Sequence, residues 1–304
     1  MKALITTILI LIQTVLVWGQ KIDSVTVDGI TVYYETEGSG APIYIISGGP
    51  GFTPYYMKPM TAELSQKYQT VLIHQRGTGQ TKVLLNEQTI NMDEYVKDIK
   101  AIKEKLNHKK ITLLGHSWGG MLAMNYAAIH PDEIDKLILV SSGSPDLSFY
   151  NFFVDNLHSK LSEDDQYSSQ ALLRLFGQAE KGIEANQVFL EYQNLLTKAY
   201  FYDKSKAKGI GILTAEDFNV AAFNLIFNAM YKGNWDIKQK LGGINIHTLI
   251  IHGRQDPVGM ETPHLINQTI KGSKLSIIEK CGHFPWIEQP DIFFKTINEF
   301  IETN

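Results

Sequence analysis

One six-residue stretch, Gly115-His116-Ser117-Trp118-Gly119-Gly120, restricts the fold of this chain more than any other. Before it stands the run Ile111-Thr112-Leu113-Leu114, and after it Met121-Leu122-Ala123-Met124 continues in helix-forming residues. Gly-x-Ser-x-Gly between a strand and a helix puts the serine on a tight turn, where side chains in place of the flanking glycines would collide with the neighbouring strand and helix. Roughly one chain of this size in ten carries such a pattern by accident, so the surrounding sequence has to support the reading.

That surrounding sequence alternates. Short β-branched and aromatic runs fall at 24–27, 31–35, 43–46, 70–74, 111–114, 137–140, 248–251 and 275–278. Helix-like segments lie at 93–106, 119–129 and 290–301; in the first, Tyr95, Ile99, Ile102 and Leu106 recur along one helical face. Strands followed by helices need crossover connections, so the expected fold is α/β, with a mostly parallel eight-stranded sheet flanked by helices. Asp28-Gly29 between the first two runs is a hairpin signal, so the sheet is expected to open antiparallel. From 145 to 240 the alternation stops, in a stretch rich in Leu, Phe, Tyr, Asn and Gln at helical spacing. The expected organisation is a core of residues 20–144 and 241–304, with a helical cap, 145–240, inserted between the sixth and seventh strands.

Residues 1–19 are a different material: Met1-Lys2 is a short positive start, and 3–18 is almost wholly apolar or neutral. This is read as a signal peptide cleaved near Gly19/Gln20, implying export to the periplasm or the medium, with an uncleaved membrane anchor as the alternative. Thr6, Thr7, Gln13 and Thr14 interrupt the segment, which falls short of the ~20 apolar residues of a comfortable span. No stable membrane insertion is expected once it is removed. The formal net charge of -4 argues against nucleic-acid partners, which select a cationic surplus. A hydrophobic share of 44% against 20% charged residues implies a packed core, and the single cysteine, Cys281, excludes an intramolecular disulfide.

A serine hydroxyl is a poor nucleophile unless a histidine takes its proton, and that histidine must be oriented by a carboxylate. Most of the nine histidines have structural readings: His130 ends a helix, His74 ends a strand, His247 and His252 bracket one, and His116 packs near the pocket. His283 is the best base candidate, because Cys281-Gly282-His283-Phe284-Pro285-Trp286 is a loop just after the last strand. A Cys281 nucleophile is the weaker alternative, since a buried filler beside a functional histidine accounts for it. Asp256, in Gly253-Arg254-Gln255-Asp256-Pro257 after the seventh strand, is the orienting acid; Asp146 is the reserve. All three chosen residues then lie at the C-terminal edge of the sheet, where open α/β sheets bind ligands. Ser47-Gly48-Gly49-Pro50-Gly51 follows the third strand and lets a backbone N–H approach a developing oxyanion; Gly49 and Trp118 are the expected donor pair. A phosphate cradle is disfavoured, because no Gly-Lys-Ser/Thr and no Gly-x-Gly-x-x-Gly is formed. No metal or organic cofactor is implied.

Ser117, Asp256 and His283 in that chain order, with Gly48-Gly49-Pro50-Gly51, Gln75-Arg76-Gly77-Thr78-Gly79, 252–256 and 282–290, resemble the α/β-hydrolase fold and its proline iminopeptidase-like branch over essentially the whole chain after the leader. The resemblance implies a serine hydrolase with a Ser-His-Asp triad, an acyl-enzyme and a helical cap, acting as an aminopeptidase on small peptides. A carboxylesterase or lipase-like hydrolase of small esters is the alternative, and a non-catalytic binding protein on the same fold a third. The expected partner is a small-molecule or short-peptide substrate, and no oligomeric state is specified. Ser47 stands where the branch usually has His, His74 where it has Asp, and Gln80-Thr81 where it commonly has Arg-Ser. The branch's aminopeptidases hold the free α-amino group with cap carboxylates, yet the matching segment 221–231 contains no acid. Glu184, Glu191, Glu216 and Asp217 are the nearest candidates for that task. The Phe, Tyr and Leu content of the cap predicts a mainly apolar pocket over Ser117.

Overall fold

The computed structural model describes residues 19–178, 183–211, 214 and 216–303, the side chains of 183–186 excepted. The leader expected at 1–19 therefore lies, but for Gly19, outside the described residues.

Eight strands form one sheet: β1 Lys21–Val27, β2 Ile30–Glu37, β3 Pro42–Ile46, β4 Gln69–Ile73, β5 Ile111–His116, β6 Ile134–Val140, β7 His247–Gly253 and β8 Lys274–Ile278. Their spatial order is β1-β2-β4-β3-β5-β6-β7-β8. The pairs β1–β2 and β2–β4 are antiparallel and every later pair is parallel, as the alternation and the Asp28-Gly29 signal predict. At that turn Asp28 and Gly29 both have positive φ, 48° and 80°, which is what a two-residue hairpin connection demands. The structure extends most predicted strands by one to three residues, because pairing with a neighbour, which hydropathy does not report, carries the ladder past the apolar run.

Eleven α-helices follow among the described residues: α1 Lys58–Leu64, α2 Met92–Lys105, α3 Trp118–Ile129, α4 Tyr150–Ser159, α5 Glu163–Gln178, α6 Ile183–Thr197, α7 Val220–Lys232, α8 Lys238–Leu241, α9 Glu261–Thr269, α10 Pro285–Glu288 and α11 Pro290–Glu302. The central strands are covered on both faces, so they are continuously buried rather than alternating in polarity. Side chains still alternate in direction. Tyr44, Ile46, Leu113, Leu137 and Ile250 pack with Ile99, Ile102 and Met121 of α2 and α3, while Ile43, Ile45, Leu114, Ile138 and Ile251 pack with Met60 of α1 and Phe293 and Ile297 of α11.

Sheet order also places the crevice. The chain leaves β3 to one side for β4 and returns on the other for β5, so the loops after β3 and β5 diverge at their C-terminal ends and leave a gap there. Helices α4 to α7 lie between β6 and β7, and their own small apolar clusters include Leu157, Tyr192 and Leu196, and Leu190, Phe218 and Val220. The stretch is not wholly helical: Phe218 forms an isolated antiparallel bridge with Phe52, and Asn219 N–H donates to Gly51 O at 2.8 Å. A two-residue bridge has no periodicity to betray it in sequence. It ties the loop after β3 to the segment leading into α7.

The loop after β4 is held by charge. Arg76, almost wholly buried, donates from Nε and Nη2 to the two oxygens of Asp98 at 2.8 Å each and from Nη1 to Glu94 at 2.6 Å. Removing one partner of such a pair strands the other charge out of water. Asp98→Ala is therefore expected to cost about 3 kcal/mol of stability, Glu94 moderating the loss, and urea denaturation would read this as a lower midpoint. An unchanged midpoint would mean that the pair contributes nothing net.

Candidate active site

Ser117 sits between β5 and α3 with φ 55° and ψ −120°, a conformation that non-glycine residues rarely adopt and that clusters at functional sites. Its neighbours explain why glycine flanks it. A Cβ on Gly115 would meet Gly119 O at 2.2 Å, and one on Gly119 would meet Ile46 O at 2.3 Å. The turn is held by Ser117 N–H donating to Val140 O at 3.0 Å and by Gly143 N–H donating to Ser117 O at 3.2 Å. The Ser117 side chain makes no hydrogen bond among the described residues.

The structure brings Asp256 and His283 together from the loops after β7 and β8. His283 Nδ1 lies 3.0 and 2.9 Å from the two Asp256 oxygens; a carboxylate only accepts, so Nδ1 carries the hydrogen and Nε2 is left for the cavity. Burial alone would raise the Asp256 carboxyl, but the His283 and His252 imidazoles, the His283 hydrogen bond and the Val258 amide outweigh it and hold the group well below the usual carboxylate range. His283 and Ser117 line one cavity. No hydrogen bond joins them, and a nucleophile and base of this kind need reach bonding distance only in the reacting complex.

Asp146, the reserve acid, faces elsewhere. It pairs with Lys238 and accepts from Ser148, contacts that bring its carboxyl down to about 2 against the effect of burial. Cys281 is fully buried, its Sγ 3.5 Å from Gly282 O, and burial followed by the charges of Glu288 and Asp256 pushes its thiol far up, the opposite of what a nucleophilic thiolate requires. His74 pairs with Glu35 at 3.2 Å, and His252 lies buried with Nε2 3.9 Å from an Asp256 oxygen.

Among the described residues, neither the Gly49 nor the Trp118 amide N–H has a hydrogen-bond partner, and both residues line the cavity beside Ser117. Free donors at that place can meet an oxyanion. Gln75, from the loop after β4, sets their spacing: its Nε2 donates to Ser47 O and Oγ at 2.9 Å each, and its Oε1 accepts from Trp118 Nε1 at 2.9 Å. Glu288 does the same for the loop that carries His283. Its Oε2 accepts from Gly282 N–H at 2.5 Å and its Oε1 from Asp203 N–H at 2.9 Å, while His283 N–H donates to Tyr200 O at 2.7 Å. Gln75 and Glu288 fall within the motif stretches 75–79 and 282–290, where nothing local gives either a task. Their stretches were the available signal.

The cavity above Ser117 has a volume of about 260 Å³ and is lined chiefly by aromatic and aliphatic side chains of α4, α6 and α7, among them Tyr150, Phe153, Phe189, Leu196 and Phe227. No Asp, Glu, Lys or Arg lines it among the described residues. Of the four acids considered for an α-amino group, Glu191 and Glu216 are exposed and the Glu184 side chain lies outside the described residues. Asp217 lines a neighbouring cavity of about 190 Å³ that shares Phe52, Tyr56 and Ile210 with the first. Its Oδ2 already accepts from Thr214 N–H and Oγ1 at 2.9 and 2.8 Å, and its Oδ1 from Thr53 Oγ1 at 3.4 Å. No group of three or more His, Cys, Asp and Glu is placed to hold a metal ion among the described residues, and none of their helices is long and apolar enough to cross a membrane.

A family model described as alpha/beta hydrolase fold matches residues 41–290. A proline iminopeptidase of Saccharolobus solfataricus is 28% identical over 292 residues, covering 90% of each chain. One from Heyndrickxia coagulans is 26% identical over 286 residues, covering 89% of this chain and 93% of its own. Among solved structures, an esterase from Exiguobacterium antarcticum superposes with a TM-score of 0.68 at 22% identity, covering 91% of this chain and 97% of that one.

Proposed function

Since the chain belongs to the alpha/beta hydrolase fold family and is a hydrolase, we propose that it is a serine hydrolase working through an acyl-enzyme on substrates with an uncharged, apolar acyl group. In this reading His283 Nε2 takes the proton of Ser117 as Oγ attacks the substrate carbonyl, and the Gly49 and Trp118 amides receive the oxyanion. His283 then returns the proton to the leaving group, and in the second half it activates the water that releases the acyl chain. Asp256 keeps Nδ1 protonated and stabilises the imidazolium.

The observation that carries the substrate class is the cavity lining, which offers aromatic rings and no charged side chain among the described residues. An unpaired ammonium in such surroundings costs several kcal/mol. The second reading, an aminopeptidase, is favoured by the two proline iminopeptidase relatives and by Asp217 in the adjoining cavity.

Chromogenic substrates separate the two. The purified protein is expected to hydrolyse medium-chain acyl and N-blocked esters with kcat/KM at least about 100-fold above that for prolyl and other aminoacyl amides, as a penalty of about 3 kcal/mol on a free ammonium implies. Esters are also intrinsically the easier substrates, so a free-amine ester serves as the matched control. If the free-amine ester outruns its N-blocked counterpart, the aminopeptidase reading replaces the first.

A further inference from the structure

Tyr56 and His116 form a hydrogen-bonded chain that ties together the loops after β3, β5 and β8. Gly48 N lies 2.5 Å from Tyr56 Oη, Tyr56 Oη 2.8 Å from His116 Nδ1, and His116 Nε2 3.0 Å from the main-chain oxygen of His283. The two ends fix its direction. An amide N–H only donates and a carbonyl only accepts, so Gly48 donates to Tyr56 and His116 carries its hydrogen on Nε2. Burial, reinforced by the nearby His283, pushes the His116 pKa well below the ordinary histidine range, and burial raises the Tyr56 phenol. The ring is therefore neutral, its Nδ1 is bare, and it accepts from the Tyr56 hydroxyl.

We infer that His116, as its Nε2–H tautomer, is a positioning residue that locks the His283 backbone to the Gly48-Gly49 turn through Tyr56, so that base and oxyanion donor keep one spacing around Ser117. The inference rests on the proposed roles of Ser117, His283 and Gly49. The turn is packed against the chain it is bonded to: a Cβ on Gly48 would meet Ser117 Cβ at 2.9 Å and Tyr56 Oη at 3.0 Å. The loops would otherwise be the mobile parts of the fold, and a displacement of about 1 Å in a reacting group can cost about 100-fold in rate.

Two substitutions of His116 test this. His116→Phe keeps a ring among Phe284 and Trp286 but removes both hydrogen bonds, whereas His116→Gln offers an amide N–H and an amide oxygen at about the separation of the imidazole nitrogens. For the best ester, His116→Phe is expected to lower kcat by about 10- to 100-fold with KM within about threefold, and His116→Gln to recover to within about threefold of the native kcat. A His116→Phe protein within about twofold of native kcat, or a His116→Gln protein as slow as the Phe variant, overturns the inference. Should His116→Phe not fold, ¹⁵N-histidine NMR of the native protein decides: His116 should be neutral with its hydrogen on Nε2 from about pH 5.5 to 8, and an Nδ1–H tautomer or a cation overturns it. Activity surviving Ser117→Ala would instead sink the proposed function, and the NMR result would stand apart from that failure.

Discussion

Ser117→Ala is expected to lower turnover by about 10⁴- to 10⁶-fold while leaving the protein folded. The size of the effect follows from the proposed role of Ser117 and from there being, among the described residues, no second candidate nucleophile where the site's groups converge. Cys281 is buried with its thiol held protonated, and among the described residues Ser117 alone presents a hydroxyl on a strained turn between the free amides and the cavity. The fold should survive because the Ser117 hydroxyl makes no hydrogen bond among the described residues, so none is lost. Alanine must still occupy φ 55°, which costs it on the order of 1 kcal/mol more than glycine and little more than serine. The measurement is turnover of the best ester alongside the thermal midpoint. A folded Ser117→Ala protein that kept a tenth of native activity would falsify the nucleophile assignment. An organophosphorus probe adds a positive test, since it should label Ser117 and fail to label the variant.

Asp256→Asn is expected to cost about 10⁴-fold in turnover with little change in structure. Both carboxylate oxygens accept from His283 Nδ1, so the ring has one tautomer open to it and Nε2 is free to act as base. An asparagine amide in the same place can present N–H to Nδ1, which moves the imidazole hydrogen to Nε2 and leaves the base with nothing to accept a proton. The same substitution has a signature in stability against pH. The Asp256 carboxyl is held below its unfolded value, so its ionisation contributes stability that is fully present above the unfolded pKa of 3.8 and lost as pH falls through the lower folded one. Asp256→Asn should therefore flatten the acid side of the stability profile below about pH 4. Retention of native turnover by a folded Asp256→Asn protein would remove Asp256 from the site.

The sheet was legible because its information is local. Eight β-branched runs and the hairpin at Asp28-Gly29 announce eight strands and one antiparallel corner, since burial on both faces demands continuous apolar residues and a two-residue turn demands positive φ. The elbow was legible as a motif: Gly115 is forced by Gly119 O a few residues on, and Gly119 by Ile46 O of β3, so only the first of these needs is local although both leave a glycine in the adjacent sequence. Between Asp146 and Asp256 the sequence could only express a preference, because both follow strands that end at one edge. What separates them is Lys238, which lies 92 positions from Asp146 and takes its carboxylate.

The sequence by itself determined the layer architecture, the edge of the sheet at which the loops gather, and the residue types available there, because hydropathy period and turn chemistry act over a few residues. Only the tertiary structure decided what those loops do to one another. Gln75 joins Ser47 to Trp118, Glu288 joins Gly282 to Asp203, Tyr56 and His116 join Gly48 to His283, and Phe52 meets Phe218 across 166 positions. Each of these links closes through one or two hydrogen bonds to a segment distant in the chain, and no local preference encodes such a bond. The charge lining of the cavity belongs to the same class: acids are present in the cap sequence, but packing turns Glu191 and Glu216 to solvent and Asp217 into the neighbouring cavity, because a carboxylate left among aromatic rings would go unpaired.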